Sequence, residues 1–305
     1  MKQYAYYPGC SLESLATSYH LSATETAREL GVELKEIEDW NCCGATVYTH
    51  VDELLAYTLV ARNLALAERE GLDFVAPCSG CYKNAYFTNA YLKQDPDLAE
   101  HINFALEADN LHIEGTTNVR HLIELFVEDV GVEEIENRVS RPLKGLRVAP
   151  YYGCQLVRPK KDDEDIEDPQ FFESLLAAIG AEPVEYASKT RCCGGSLIIT
   201  NRGAALEMVY RLLQEAENRK ADVIATICPA CNVNLEVYQK LVNREFGTEF
   251  SIPVMYFTQL LGLALGIAPG RLGIGKEFVS VASVMFFAQS KDVAPDEWVS
   301  HLERR

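Results

Sequence analysis

The sequence has no apolar run long enough to cross a membrane. Its longest, Pro253–Ala268 and Phe278–Ala288, fall short of the about 20 residues a span needs. The first also contains Thr258, Gln259 and two glycines. They are expected to form a core helix and a core strand, so no transmembrane segment is predicted. The start, Met1–Tyr7, has neither an apolar signal region nor a small-residue cleavage site, and predicts a short strand. A cytoplasmic protein is therefore expected, in a compartment where thiols stay reduced or bind metal. Positive charge is also scarce. Lys and Arg number 28 against 45 Asp and Glu, a net charge of −17. Neutralising phosphates takes clustered Lys and Arg, so no nucleic acid and no anionic membrane surface is expected as main partner. Disorder is excluded by 48% apolar and 24% charged residues. The 305 residues are about twice the length of one typical domain, which predicts two.

Cysteine is plentiful. Ten cysteines are too few for a small secreted disulfide scaffold and many for an ordinary enzyme. Cys10, Cys42, Cys43, Cys78 and Cys81 read C-x31-C-C-x34-C-x2-C. Cys154, Cys192, Cys193, Cys228 and Cys231 read C-x37-C-C-x34-C-x2-C. Four of the five pairs are offset by 150 residues and the first by 144, with none left over. Neighbours repeat as well: Gly9-Cys10 with Gly153-Cys154, and Cys42-Cys43-Gly44 with Cys192-Cys193-Gly194. A repeat of this length means two copies of one domain.

Each copy alternates short apolar runs with helical stretches. The runs are Tyr4–Tyr7, Val32–Ile37 and Phe74–Ala76, then Leu146–Tyr152, Pro183–Tyr186 and Val223–Ile227. The predicted helices are Tyr19–Leu30, Val51–Glu70 and Tyr82–Leu92, then Phe171–Ile179, Ala204–Lys220 and Asn232–Val242, with an extra segment near Asp97–Asn110 in copy one only. The fold class read from this is α/β: two tandem, pseudo-repeated domains of Rossmann-like parallel βαβ units. All ten cysteines fall at or just after carboxyl ends of strands, where such sheets collect ligands. The boundary is placed in the Pro/Gly-bearing 140–145 stretch, giving domains 1–143 and 144–305.

Three chemistries compete for five thiolates. Structural zinc takes four ligands, commonly from two C-x2–4-C knuckles, and only one true C-x2-C exists per copy. A cubane [4Fe–4S] cluster also takes four, often in a tight run absent here. Disulfides suit an oxidising compartment. Five equivalent cysteines point to an iron–sulfur centre larger or more irregular than a cubane, with zinc in one copy as the competing reading. The adjacent cysteines must sit in a turn to serve one centre, because neighbours in a strand face opposite ways. Gly44, Gly194 and Gly195 supply a permissive backbone there.

Two copies of C-x31–37-C-C-G-x33-C-x2-C resemble the CCG domains of the heterodisulfide reductase B subunit (HdrB) and its relatives. The resemblance covers nearly the whole chain, including Gly153-Cys154-Gln155-Leu156-Val157-Arg158-Pro159 and Arg141-Pro142-Leu143-Lys144-Gly145-Leu146. It implies an oxidoreductase acting on sulfur, which cleaves a disulfide between two noncubane [4Fe–4S] clusters. One cluster would lie on Cys10, Cys42, Cys43, Cys78 and Cys81, the other on Cys154, Cys192, Cys193, Cys228 and Cys231. The implied partners are the family's C subunit, which bears cubane [4Fe–4S] clusters, and its flavin-bearing A subunit. The residues after the double cysteines, Gly44-Ala45-Thr46 and Gly194-Gly195-Ser196, look more like bacterial members of the family, including those in the heterodisulfide-reductase-like complex of sulfur oxidisers. A sulfur-carrying lipoyl protein or another small disulfide or persulfide is thus as good a substrate as the mixed disulfide of coenzymes M and B. An electron-transfer subunit with one zinc-binding copy is the third reading.

Other residues carry weaker signals. Lys189, Arg191, Arg158, Lys160, Lys161 and Lys83 lie near cysteines and could bind an anionic tail, but solvated surface charge is the better expectation for each. His20 and His50 are expected to pack or face solvent. Gly270–Lys276 imitates the start of a phosphate loop, yet Glu277 stands where Ser or Thr is needed and no strand precedes it.

Overall fold

The computed structural model describes residues 1–45, 48–159 and 165–288. Its first half runs β1 (Lys2–Tyr6), α1 (Thr17–Glu29), β2 (Val32–Glu36), α2 (Tyr48–Val51), α3 (Glu53–Arg69), β3 (Phe74–Ala76), α4 (Ser79–Gln94), α5 (Pro96–Leu106) and β4 (Val119–His121). Then α6 (Leu122–Glu124) continues through a π-helical stretch, Leu125–Gly131, into α7 (Val132–Arg138). The second half runs β5 (Arg147–Tyr151), α8 (Gly153–Leu156), α9 (Phe171–Ala178), β6 (Glu182–Pro183), α10 (Arg202–Asn218) and β7 (Val223–Thr226). It ends with α11 (Pro229–Val237), α12 (Gln239–Phe246), β8 (Val254–Tyr256), α13 (Phe257–Ala264) and α14 (Ala282–Ala288).

The strands form two parallel four-stranded sheets, ordered β2-β1-β3-β4 and β6-β5-β7-β8. Both orders reverse direction between their two central strands, which opens a crevice at the carboxyl ends there. The first cysteine of each set follows β1 or β5, and each C-x2-C follows β3 or β7, so both flank that crevice.

Three differences from the sequence reading have local causes. The strand expected over Pro183–Tyr186 is only Glu182–Pro183. Val184 N–H still donates to Val148 O, but the next bond needs an N–H on β5 at Pro150, which has none. The helices expected from Tyr82 and Asn232 begin inside the cysteine motifs, at Ser79 and Pro229. The core strand expected over Phe278–Phe287 is instead a helix from Ala282; it buries Val284 and Ala288 and exposes Phe286. A short apolar run without alternation is ambiguous between the two structures.

The halves share one core. Helix α13 of the second half packs on α1 of the first. Tyr19 of α1 stacks on Tyr256 with ring centroids 4.2 Å apart and donates its hydroxyl to Ile227 O at 3.1 Å. Ser22 and Thr258 hydroxyls meet at 2.6 Å in the same buried seam. Among the described residues no helix is long and apolar enough to cross a membrane.

Candidate iron–sulfur centres

Each C-x2-C motif opens a helix. Cys78 and Cys228 are the N-cap residues of α4 and α11, with extended backbone, and Cys81 and Cys231 lie one turn on. Pro229 occupies the first helical position, where its fixed φ suits the start and its missing N–H costs nothing. A helix N-terminus favours thiolate over thiol. Gly9 and Gly153 precede the first cysteine of each set at φ +71° and +68°, and a Cβ there would lie 3.3 Å from Cys81 Sγ and 3.0 Å from Cys231 Sγ. Only glycine lets the chain pass that close. Gly44 and Gly194 also have positive φ, as the turn after a double cysteine requires; Gly195 does not, and its lack of a side chain instead spares Cys193 Sγ.

All ten thiols are free. In the first half Cys43 Sγ lies 3.2 Å from Cys81 Sγ, and Cys42 contacts Cys43. In the second, Cys193 Sγ lies 3.5 Å from Cys231 Sγ, and Cys192 contacts Cys193 and Cys154. Cys10 is exposed at the rim and close enough to Cys42 to raise its pKa. The two sets meet on the seam, where Cys78 contacts Cys228 and the Ser79 N–H points at Cys228 Sγ. The described residues hold no group of three His, Cys, Asp or Glu arranged for a single metal ion.

The thiols are not equivalent. Contacts with Cys42 and Cys81 hold Cys43 well below an ordinary thiol pKa, and contacts with Cys192 and Cys231 do the same for Cys193. Contacts from Cys231 and Cys78 hold Cys228 down. Cys78 is held up, chiefly by its contact with Cys228, and Cys81 and Cys231 by their contacts with Cys43 and Cys193. Backbone donors add to this: Gly194 N–H reaches Cys192 Sγ at 3.3 Å, and the Gly44, Ala45 and Gly195 N–H groups serve Cys42, Cys43 and Cys193. Soft sulfur donors in two sets, each running from buried thiols to the surface and supplied with N–H donors, fit an iron–sulfur group.

Two pairs of residues unread in the sequence hold the double cysteines. Tyr7 donates to Asn41 O at 2.9 Å and Tyr151 to Arg191 O at 2.6 Å, so each fixes the residue before the pair. Asn84 and Asn234 donate to Cys43 O and Cys193 O at 3.2 and 2.9 Å. The signal was available, since Asn84 and Asn234 obey the same 150-residue offset as the cysteines. The halves differ behind the C-x2-C turns. Ser79 Oγ lies 3.4 Å from His121 Nε2, whereas Pro229 and Tyr256 occupy the matching places in the second half.

The cations near the cysteines divide. Lys189 is buried, bonded to Asp168, Glu173 and the Pro169 carbonyl at 2.6–2.7 Å, and lies over the Tyr152 ring, so it cannot serve a substrate. Arg191 and Arg158 are exposed and Lys83 is half-buried; contact with Cys192 and burial push the Cys154 thiol up, and the Arg158 charge offsets only part of that. Lys160 and Lys161 lie outside the described residues. His20 packs its ring 5.7 Å from that of Tyr6, and His50 is exposed.

A cleft of about 220 Å³ runs along the seam between Ser11, Ser14 and Leu15 of the first half and Gly195, Pro229 and Ala230 of the second. A recess of about 260 Å³ adjoins it, reaching Glu236 and Tyr256. Burial pushes the Glu236 carboxyl up to about 7, although it accepts the Phe278 and Val279 N–H groups. The folded chain therefore holds a proton that the unfolded chain releases near 4.5, and stability drains away as pH rises from there through 7. Glu236→Gln removes that drain. Relative to the parent, it should gain about 2–3 kcal/mol more at pH 8 than at pH 5. Urea unfolding at the two pH values measures this, and equal differences at both would refute it.

Comparisons agree with the repeat. A family model described as a cysteine-rich CCG domain matches residues 4–84 and 148–236. The chain is 34% identical over 285 residues to the 8-methylmenaquinol:fumarate reductase membrane anchor subunit of Wolinella succinogenes, covering 93% of this chain and 99% of that one. It is 33% identical over 299 residues to the B subunit of the ferredoxin/F(420)H(2)-dependent CoB-CoM heterodisulfide reductase of Methanosarcina acetivorans, covering 96% and 99%. A crystal structure of a hypothetical protein from Helicobacter pylori superposes with a TM-score of 0.75 at 15% identity, over 92% of this chain and 53% of that one. That likeness shows the fold alone.

Proposed function

The chain belongs to the family of the heterodisulfide reductase B subunit, built from two CCG domains, and from that premise we propose that it is the disulfide-cleaving subunit of such a complex. Each half, 1–143 and 144–305, would hold one noncubane [4Fe–4S] cluster on its five cysteines: Cys10, Cys42, Cys43, Cys78 and Cys81, and Cys154, Cys192, Cys193, Cys228 and Cys231. The observation that carries the reading is the contact of Cys78 with Cys228, which brings the two thiol sets together on the seam beside the cleft.

Cleavage balances as R–S–S–R′ plus two electrons and two protons giving R–SH and R′–SH. The electrons would come from a reduced iron–sulfur carrier on a partner protein, because this chain has no further cysteine for a relay. Held on the two five-cysteine sets, the iron–sulfur groups would supply the two one-electron reductions that cleavage needs. The chain itself supplies the positions. Leu15 and Ala16 on one wall and Pro229 and Ala230 on the other give the disulfide an apolar slot, and the N–H groups around the double cysteines stabilise negative charge at the sulfurs.

Anaerobic metal analysis tests this. The expectation is about eight irons per chain and no zinc, with disulfide cleavage on addition of a low-potential reductant. About four irons and one zinc would overturn it in favour of an electron-transfer role. Similarity to the Wolinella succinogenes protein supports a different electron-transfer reading, without zinc, in which both sets carry iron and pass electrons between a methylmenaquinol-linked partner and a fumarate-reducing one. Full iron without turnover of any disulfide, combined with cluster reduction by a menaquinol, would favour it.

A further inference from the structure

We propose that Asn84 and Asn234 are positioning residues that set the reduction potentials of the two centres, each acting on the centre of its own half. The inference rests on the reading that each five-cysteine set holds an iron–sulfur cluster.

The geometry works through one peptide plane per half. The Asn84 Nδ2 donates to Cys43 O, and the Asn234 Nδ2 to Cys193 O. Each carbonyl belongs to the same planar peptide unit as the next N–H, that of Gly44 or Gly194. In a trans peptide the C=O and N–H point to opposite sides, so pinning one end aims the other. The aimed N–H groups reach Cys42 and Cys192, the latter at 3.3 Å. Gly44 and Gly194 hold positive φ and carry no side chain to resist rotation of that plane. Both asparagines lie on the helix that begins at the C-x2-C motif, three residues after its second cysteine. One helix therefore fixes two thiols directly and a third through the asparagine.

An N–H donor to a cluster sulfur favours the electron-rich, reduced state, and such bonds are among the levers that set these potentials. Without the amide, the peptide plane is free to turn and the donor is lost from the sulfur. The direction follows: a more negative potential in one half only.

The test uses the iron-loaded chain and four variants: Asn84→Ala, Asn84→Asp, Asn234→Ala and Asn234→Asp. Redox titration followed by electron paramagnetic resonance should show one of two components moving to more negative potential in each variant, a different component for the two positions. Ionised aspartate keeps the shape, has no donor and adds a negative charge, so it should shift the potential the same way and at least as far as alanine does. In the same samples the Gly44 or Gly194 amide should exchange about ten-fold faster, the equivalent of one hydrogen bond. Unchanged potentials and exchange in both alanine variants would overturn the proposal. So would equal shifts of both components from one substitution, or parent-like behaviour of the aspartate variants. Should Asn234→Ala fail to fold, the half-buried Asn84 carries the same test in the other half. A parent chain without iron in its two sets would sink the cluster reading instead, leaving amide exchange to judge the peptide clamp.

Discussion

Replacing Cys193 by alanine should halve the iron, from about eight to about four per chain, and lower disulfide cleavage at least about 100-fold. Cys193 carries this prediction better than its neighbours because three features converge on it. It is buried, it lies 3.5 Å from Cys231 Sγ, and its contacts with Cys192 and Cys231 favour its thiolate over that of an ordinary thiol. The Asn234 bond to its backbone carbonyl survives the substitution, so the loop should keep its path while losing one donor. The spectrum of the first half should remain, because Cys10, Cys42, Cys43 and Cys81 are untouched. Iron analysis, spectroscopy and turnover of one anaerobic sample decide it. Full iron with parent activity would remove Cys193 from the site, and loss of all iron would mean the centres assemble as one unit through Cys78 and Cys228.

The cysteine repeat made most of the fold legible because thiols in such sheets gather at strand ends, and the strands could be read backwards from them. Phe74–Ala76 is where the short apolar run before Cys78 put it. The helix expected over Val51–Glu70 is interrupted at Asp52, whose carboxylate caps α3 through the Leu55 N–H. What stayed hidden depends on contacts distant in sequence. Nothing near Tyr19 announces that its hydroxyl ends on Ile227 O, over 200 residues away. Lys189 looked like a surface cation beside Arg191, yet Asp168 and Glu173 fold over it, and no local pattern says which carboxylates will arrive. Asn84 and Asn234 satisfy loop carbonyls, and loops have no periodicity from which to read such a bond. Only the second copy of the sequence could have exposed them.

Tyr19→Ala should be the most destabilising single change on the seam, and Tyr19→Phe the most informative. The tyrosine is fully buried, stacks on Tyr256 at 4.2 Å, and donates to the carbonyl of Ile227, the residue before Cys228. Alanine leaves a cavity between the halves and should cost about 3–5 kcal/mol. In a chain of this size that lowers the melting temperature by roughly 10 °C. Phenylalanine keeps the ring and the stack but leaves a buried carbonyl unpaired, at about 1–3 kcal/mol. If the hydroxyl only supports packing, the phenylalanine variant will lose stability and keep its turnover. If it also holds the strand end that presents Cys228 to Cys78, turnover should fall about 10- to 100-fold with iron content unchanged. We expect the second result, because the bonded carbonyl is joined by a single residue step to the thiol on which the two sets meet. Scanning calorimetry and disulfide turnover on the two variants separate the outcomes. An alanine variant that melts with the parent would show that the two halves do not depend on this contact at all.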